Sequence, residues 1–212
     1  MDWVQIIPLL VSLTFSVLLV LYIQWVKKPQ LETQISDYSY HNDNRMKIAH
    51  IRVRNKPVRF LGRWMNRDLA TNCRGVVRVN DASNGQLVRE FTDLKWALNP
   101  EPLKFEVDRE RKQLVVMVDP AIVMTAGLKN IGERWEDLDI AMKREGEQEF
   151  YINTSRNYPL NVKHPETRID VRRCWLQVTI EFDNGRSKEG GYYLRNDSDK
   201  IVDFELSERP LE

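Results

Sequence analysis

A mainly β domain carried behind one membrane-spanning helix is the architecture this sequence predicts. Three observations carry that expectation. Residues 3–26 form an uncharged apolar run. Beyond them, several segments alternate apolar and polar residues with a period of two, the pattern of a half-buried strand. Between such segments lie Asn84-Gly85 and Asp183-Asn184-Gly185, and Asn-Gly is a preferred pair for tight hairpins.

The apolar run comes first in the chain. At 1.5 Å per residue it reaches roughly 36 Å, enough to cross a hydrocarbon core of ~30 Å. Trp3 at one end, with Tyr22 and Trp25 near the other, supplies aromatic anchors for two interfaces. Pro8 lies in the first turns, where a lost backbone bond is more easily tolerated. A cleavable signal peptide needs a positive start, a shorter apolar stretch and small residues at a cut site. Met1-Asp2 and Gln24-Trp25-Val26-Lys27 offer none of these. A buried core helix would rarely run so long without one charge. The expectation is an uncleaved, single-pass anchor with the lipid bilayer as the partner of residues 3–26. Lys27 and Lys28 follow the run while Asp2 precedes it, so the positive-inside rule places the C-terminal domain in the cytoplasm.

Residues 27–46 are polar, carry scattered tyrosines and lack a sustained period. They read as a linker between the helix and a domain spanning residues 47–212. In that domain Ala49, Ile51 and Val53 alternate with His50, Arg52 and Arg54. Cys73, Gly75, Val77 and Val79 alternate with Arg74, Val76 and Arg78, and Cys174, Leu176, Val178, Ile180 and Phe182 with Trp175, Gln177, Thr179 and Glu181. Leu114 to Val118 is a short apolar run ended by Asp119-Pro120, and Ile201 to Leu206 closes the chain's last strand region. One stretch supports two readings: Leu128, Ile131, Trp135, Leu138 and Met142 fall at helical spacing, while Leu138, Ile140 and Met142 alternate as a strand. Gly132 weakens a continuous helix, which favours a loop or helical turn followed by a strand. Short strands at this spacing predict an immunoglobulin-like β-sandwich.

Composition narrows function. Of 212 residues 42% are apolar and 30% charged, which argues against disorder. A net charge of +1 from 32 basic and 31 acidic residues leaves no electrostatic footprint for nucleic acid. Cys73 and Cys174 are far apart, His41, His50 and His164 equally so, and no metal-ligand spacing results. No phosphate loop, GxSxG, HExxH or EF-hand pattern occurs, so no catalytic, cofactor or metal residue is assigned. Asp137 and Asp139 could form a carboxylate pair, although such pairs usually mark a solvated face. His50 alternates with core positions and is expected to point away from the core with nothing nearby to orient it. Both cysteines fall on the apolar phase of their strands. An immunoglobulin-like fold can join two such strands by a disulfide, whereas the cytoplasmic topology favours buried thiols. The sequons Asn153-Thr154-Ser155 and Asn196-Asp197-Ser198 matter only for an exported domain.

The run from His50 through Arg52 and Arg54 to Asn55, and Ala70-Thr71-Asn72-Cys73-Arg74-Gly75, resemble an uncharacterised group of N-terminally membrane-anchored prokaryotic β-sandwich proteins. Glu189-Gly190-Gly191-Tyr192-Tyr193-Leu194-Arg195-Asn196 and Asp203-Phe204-Glu205-Leu206 are similar to that group's last two strands. The resemblance implies the architecture and no activity.

The functional expectation is a membrane-tethered protein-interaction or scaffolding module; a hydrolase or transferase whose residues meet only in three dimensions, or an accessory subunit of a membrane complex, are the alternatives. The candidate interaction loop contains Arg59, Phe60, Arg63, Trp64, Met65 and Arg67, residue types enriched in interface hot spots. If the strand before it runs away from the bilayer, that loop faces a cytosolic partner; the competing reading has its apolar side chains fold back as a lid on the sandwich.

Overall fold

The computed structural model of the protein describes residues 3–41, 43–58, 65–100, 103–108, 110–125, 127–157 and 164–210. Its first element is helix α1 (Trp3–Lys27), long and apolar enough to cross a membrane. Side chains such as Leu13, Phe15 and Leu18 are exposed along it. An unpaired hydroxyl is costly in an apolar medium, and two internal bonds remove that cost. Thr14 donates to Leu10 O and Ser16 to Ser12 O, each at 2.8 Å.

After it the chain is mainly β. In order come β1 (Leu31–Ile35), β2 (Ser39–His41), β3 (Met46–Asn55), β4 (Ala70–Asp81), β5 (Leu87–Phe91), β6 (Leu103–Asp108), β7 (Gln113–Val118), the short helix α2 (Pro120–Thr125), β8 (Leu128–Ile131), β9 (Glu136–Arg144), β10 (Phe150–Ile152), β11 (Arg168–Ile169), β12 (Arg173–Glu181), β13 (Lys188–Asn196) and β14 (Phe204–Ser207). One antiparallel sheet has the order β1-β3-β9-β10-β11, with β2 also paired to β3. The other has the order β14-β13-β12-β4-β5, with β8 also paired to β4.

The period-two pattern locates the core between these sheets. Ala49, Ile51, Val53, Leu138, Phe150 and Ile152 of the first sheet share one buried cluster with Val77, Val79, Leu176, Val178, Ile180 and Leu194 of the second. Trp96 is sealed between them and donates its Nε1–H to Cys73 O at 3.3 Å. The sheets fit closely at Gly75: a Cβ there would stand 2.9 Å from Leu138 Cδ2 and 3.0 Å from Leu94 Cβ.

Four expectations change. Residues 27–46 are no free linker, because β1 and β2 lie end to end along the edge of β3 and satisfy its backbone. In the stretch with two readings, Leu138, Ile140 and Met142 fall in the expected strand, β9, but the segment before it, expected as a loop or helical turn, contains strand β8, where pairing with β4 overrides the helical spacing. Leu114 to Val118 joins neither sheet but forms a separate two-stranded ribbon, β6 with β7. Asn84-Gly85 makes the expected turn with Gly85 at φ +72°, whereas β12 and β13 are joined by the longer loop of residues 182–187. There glycine is needed for space, since a Cβ on Gly185 would collide with the Phe182 ring.

Cys73 and Cys174 are buried and free. They lie in one sheet, not across the two. Cys174 stands opposite Asp81, eight residues along β4 from Cys73, which is about 26 Å at strand rise. A disulfide needs Cα atoms about 6 Å apart, so the bridge is geometrically excluded.

Candidate functional site

Two places in the fold gather polar chemistry, and the first is the junction between α1 and the sheets. β3 runs toward the helix: the Lys56 N–H donates to Gln30 O and the Asp68 N–H to Lys27 O, each at 2.8 Å. The loop between β3 and β4 therefore starts and ends beside the last turn of α1, opposite to the far-pole placement considered from sequence. Arg67 closes this junction. Its Nη1 donates to Val26 O at 2.7 Å and Lys28 O at 2.8 Å, its Nε to Lys56 O at 2.9 Å, and its Nη2 to Gln30 Oε1 at 3.1 Å. Carbonyls at a helix C-terminus lack intrahelical donors, and a cation there also suits the helix dipole. Arg67 is thus committed to the chain itself. Met65 is half-buried; Arg59, Phe60, Arg63 and Trp64 lie outside the described residues.

Next to this junction the β12–β13 loop is drawn against the helix end. Asn184 donates to Leu69 O at 2.7 Å and accepts from the Thr71 N–H at 3.1 Å. Between loop and helix opens a cavity of about 550 Å³ bordered by Trp25, Lys28, Gln30, Asn184, Arg186 and Lys188.

The second place lies on the outer face of the first sheet. His50 Nδ1 is 2.7 Å from Asp139 Oδ1, and His50 Nε2 is 2.7 Å from Ser39 Oγ. Asp139 Oδ2 accepts from Asn153 Nδ2 at 2.9 Å. Because a carboxylate only accepts, Nδ1 carries the ring proton, and a neutral ring leaves Nε2 to accept from the serine hydroxyl. This is the order nucleophile, base, orienter that acyl-transfer enzymes use.

A β-bulge assembles it. Ala49 pairs with Ala141 but His50 pairs with Asp139, so Ile140 is the extra residue. Ile140 and Ala141 both turn into the core, and Asp139 emerges beneath His50. Bulges commonly re-aim a side chain in this way. His50 and Asp139 retain 6% and 3% of their exposure, against the expectation that His50 is unoriented and outward in solvent. The reason is a second buried cluster, Met46, Ile48, Met142 and Tyr151, on the same outer face. The clue was in the sequence: Met46 and Ile48 share the parity of His50, so β3 is apolar on both faces at its start. Asp137 and Asp139 do not act as a pair, since Asp139 is spent on His50 and Asn153.

Other buried polar groups act as pins. Lys47 Nζ donates to Phe204 O at 2.6 Å and lies 4.0 Å from the centre of the Tyr38 ring. Lys143, fully buried, donates to the carbonyls of Glu147, Glu149 and Ser198. Burial lowers the pKa of both lysines, and the ring of carbonyls is what the charged form requires. Asn153 and Asn196, the two sequon asparagines, are 0% and 2% exposed. Asn196 donates to Gln148 O at 2.6 Å. Neither can carry a glycan in the folded domain. Among the described residues no group of three or more His, Cys, Asp or Glu could hold a metal ion.

No protein-family model, curated protein or solved structure matches the chain.

Proposed function

We propose that the chain is a membrane-tethered protein-interaction or scaffolding module, anchored through α1 with the β domain on the cytoplasmic side. The observation that carries this reading is the β6–β7 ribbon. A lone two-stranded ribbon is marginal in water, and this one exposes Val107, Val115, Val116, Met117 and Val118. Val115 and Met117 point to one side and Val116 and Val118 to the other. Concentrated exposed apolar surface of this kind marks contact sites. Arg67 supports the tethered part of the reading, because it ties the β domain to the end of α1. In connectivity we read an immunoglobulin-like variant. The order β13-β12-β4-β5 matches the G-F-C-C′ order of a variable-type sheet. β10, which lies outside β9, follows it in the chain, where immunoglobulin strand D precedes strand E.

The test is affinity purification of the full chain from detergent-solubilised membranes, compared with Val116→Lys/Val118→Lys. A partner retained by the parent and lost from the variant, with an unchanged melting midpoint, supports the module. Equal recovery from both sinks it. Recovery at fixed stoichiometry with other membrane-spanning chains would make this an accessory subunit.

A second reading has its own observation. The Ser39–His50–Asp139 chain supports a membrane-anchored hydrolase, with Ser39 as nucleophile and His50 as base. A fluorophosphonate probe should then label the parent and leave Ser39→Ala unlabelled. Absence of label on the parent removes this reading.

A further inference from the structure

Among the described residues that line the cavity at the helix junction, three are cations, Lys28, Arg186 and Lys188, and none is acidic. None of the three has an ion-pair partner among the described residues. The loop carrying Arg186 is built, not loose, and Lys188 is the first residue of β13: Asn184 fastens the loop to Leu69 and Thr71, and the Phe182 ring folds over Gly185. Trp25, 62% exposed in the last turn of α1, forms the wall nearest the apolar segment. An aromatic side chain in the last turn of a membrane-length helix, sharing a cavity with three cations, is the composition of a bilayer interface.

We propose that this cavity binds the phosphate-bearing headgroup of an anionic phospholipid from the leaflet in which α1 ends. The inference rests on the reading of α1 as a membrane anchor. The lysine and arginine heads would meet the phosphate, with Arg186 offering a planar fork to two of its oxygens. The lysine stems and Trp25 would border the glycerol and upper acyl region. A volume of about 550 Å³ accommodates such a headgroup. A diffuse basic surface would attract the same lipids without selecting among its cations, so charge position is what distinguishes a site.

The experiment uses the full chain in nanodiscs of phosphatidylcholine with a minority of phosphatidylglycerol, released into native mass spectrometry to count retained lipid. One phosphatidylglycerol per chain is expected for the parent. Arg186→Gln/Lys188→Gln should lower its retention roughly a hundredfold, as expected for the loss of two direct charge-assisted contacts to one phosphate rather than of diffuse surface charge. The charge-matched control Lys27→Gln/Lys56→Gln removes two cations that do not line the cavity and should change retention no more than a few-fold. Equal losses in the two double variants would mean diffuse attraction and overturn the site. Displacement by millimolar inorganic phosphate would make it a free-anion site and overturn the lipid assignment. Release of the chain from native membranes by alkaline carbonate would end the anchor reading and this one with it, whereas a firmly embedded chain with unaltered lipid counts ends only this one.

Discussion

His50 and Asp139 are cross-strand partners whose Nδ1 and Oδ1 atoms lie 2.7 Å apart, almost sealed from solvent, on the face of the sheet that faces away from the main core. The pair exists because the bulge at Ile140 shifts β9 by one residue. Asp139 has two anchors, His50 and Asn153, whereas His50 has Asp139 and the half-exposed Ser39.

That asymmetry sets an order of stabilities. His50→Ala strands a buried carboxylate and should cost about 3 kcal/mol. Ser39→Ala leaves Nε2 close to water and should cost less than about 1 kcal/mol. Denaturant titration of the detergent-solubilised chain reads both. Similar small losses would mean that Asp139 is not stabilised by His50.

The two thiols make a prediction in pH. Burial pushes Cys73 and Cys174 up from 9.0 to about 12. Below pH 9 the folded and unfolded chains both hold these protons, and the full contribution is present. From pH 9 toward 12 the unfolded chain releases protons that the folded chain keeps, so stability falls as pH rises. At neutral pH the native protein should react negligibly with iodoacetamide and take up two equivalents once denatured, since the thiolate is the nucleophile. Rapid native alkylation, or a flat stability profile above pH 9, would contradict the burial.

Arg67 should behave as a clasp. Hydrogen bonds to charged groups contribute about 2 kcal/mol each when well made, and Arg67 spreads four across the helix end and the β3–β4 loop. Arg67→Ala should speed hydrogen exchange at the Lys56 and Asp68 amides while leaving β12 amides protected. If those two amides exchange at parental rates, the junction is held by something else.

Gly75 tests how closely the sheets fit. A larger side chain there must displace Leu138 and Leu94, both fully buried. Gly75→Val should destabilise by about 3 kcal/mol, at the upper end of overpacking effects. A melting midpoint within a degree of the parent would mean that the sheets separate freely at this point.

The local patterns were readable because they depend on near neighbours. An uncharged run of membrane length specifies α1 whatever the domain does. Alternation specifies β3, β4 and β12 because a strand's faces have a period of two, and it put Cys73, Val77, Leu176 and Ile180 in the core without reference to any partner. What residues 27–46 do was not readable, since a short polar strand becomes one only by pairing with the exposed edge of β3. The same holds for the ribbon: Leu114 to Val118 has the composition of a core strand, and only the pairing of both sheets without it leaves its valines in solvent.

Register and direction belonged to the tertiary structure alone. Ser39, His50, Asp139 and Asn153 are up to 114 positions apart, and a single extra residue at Ile140 decides whether Asp139 meets His50. Alternation cannot reveal such a bulge, because it reports faces and not partners. Likewise the sequence placed Arg67 in a loop, but only the return of β3 to the end of α1 turned it from a residue offered to a partner into the cation that closes a helix. The sequence by itself determined an apolar helix of membrane length and the faces of the strands, both properties of neighbouring residues. Long-range pairing decided which polar groups meet and where α1 joins the domain, because those contacts are made by backbone register between strands far apart in the sequence.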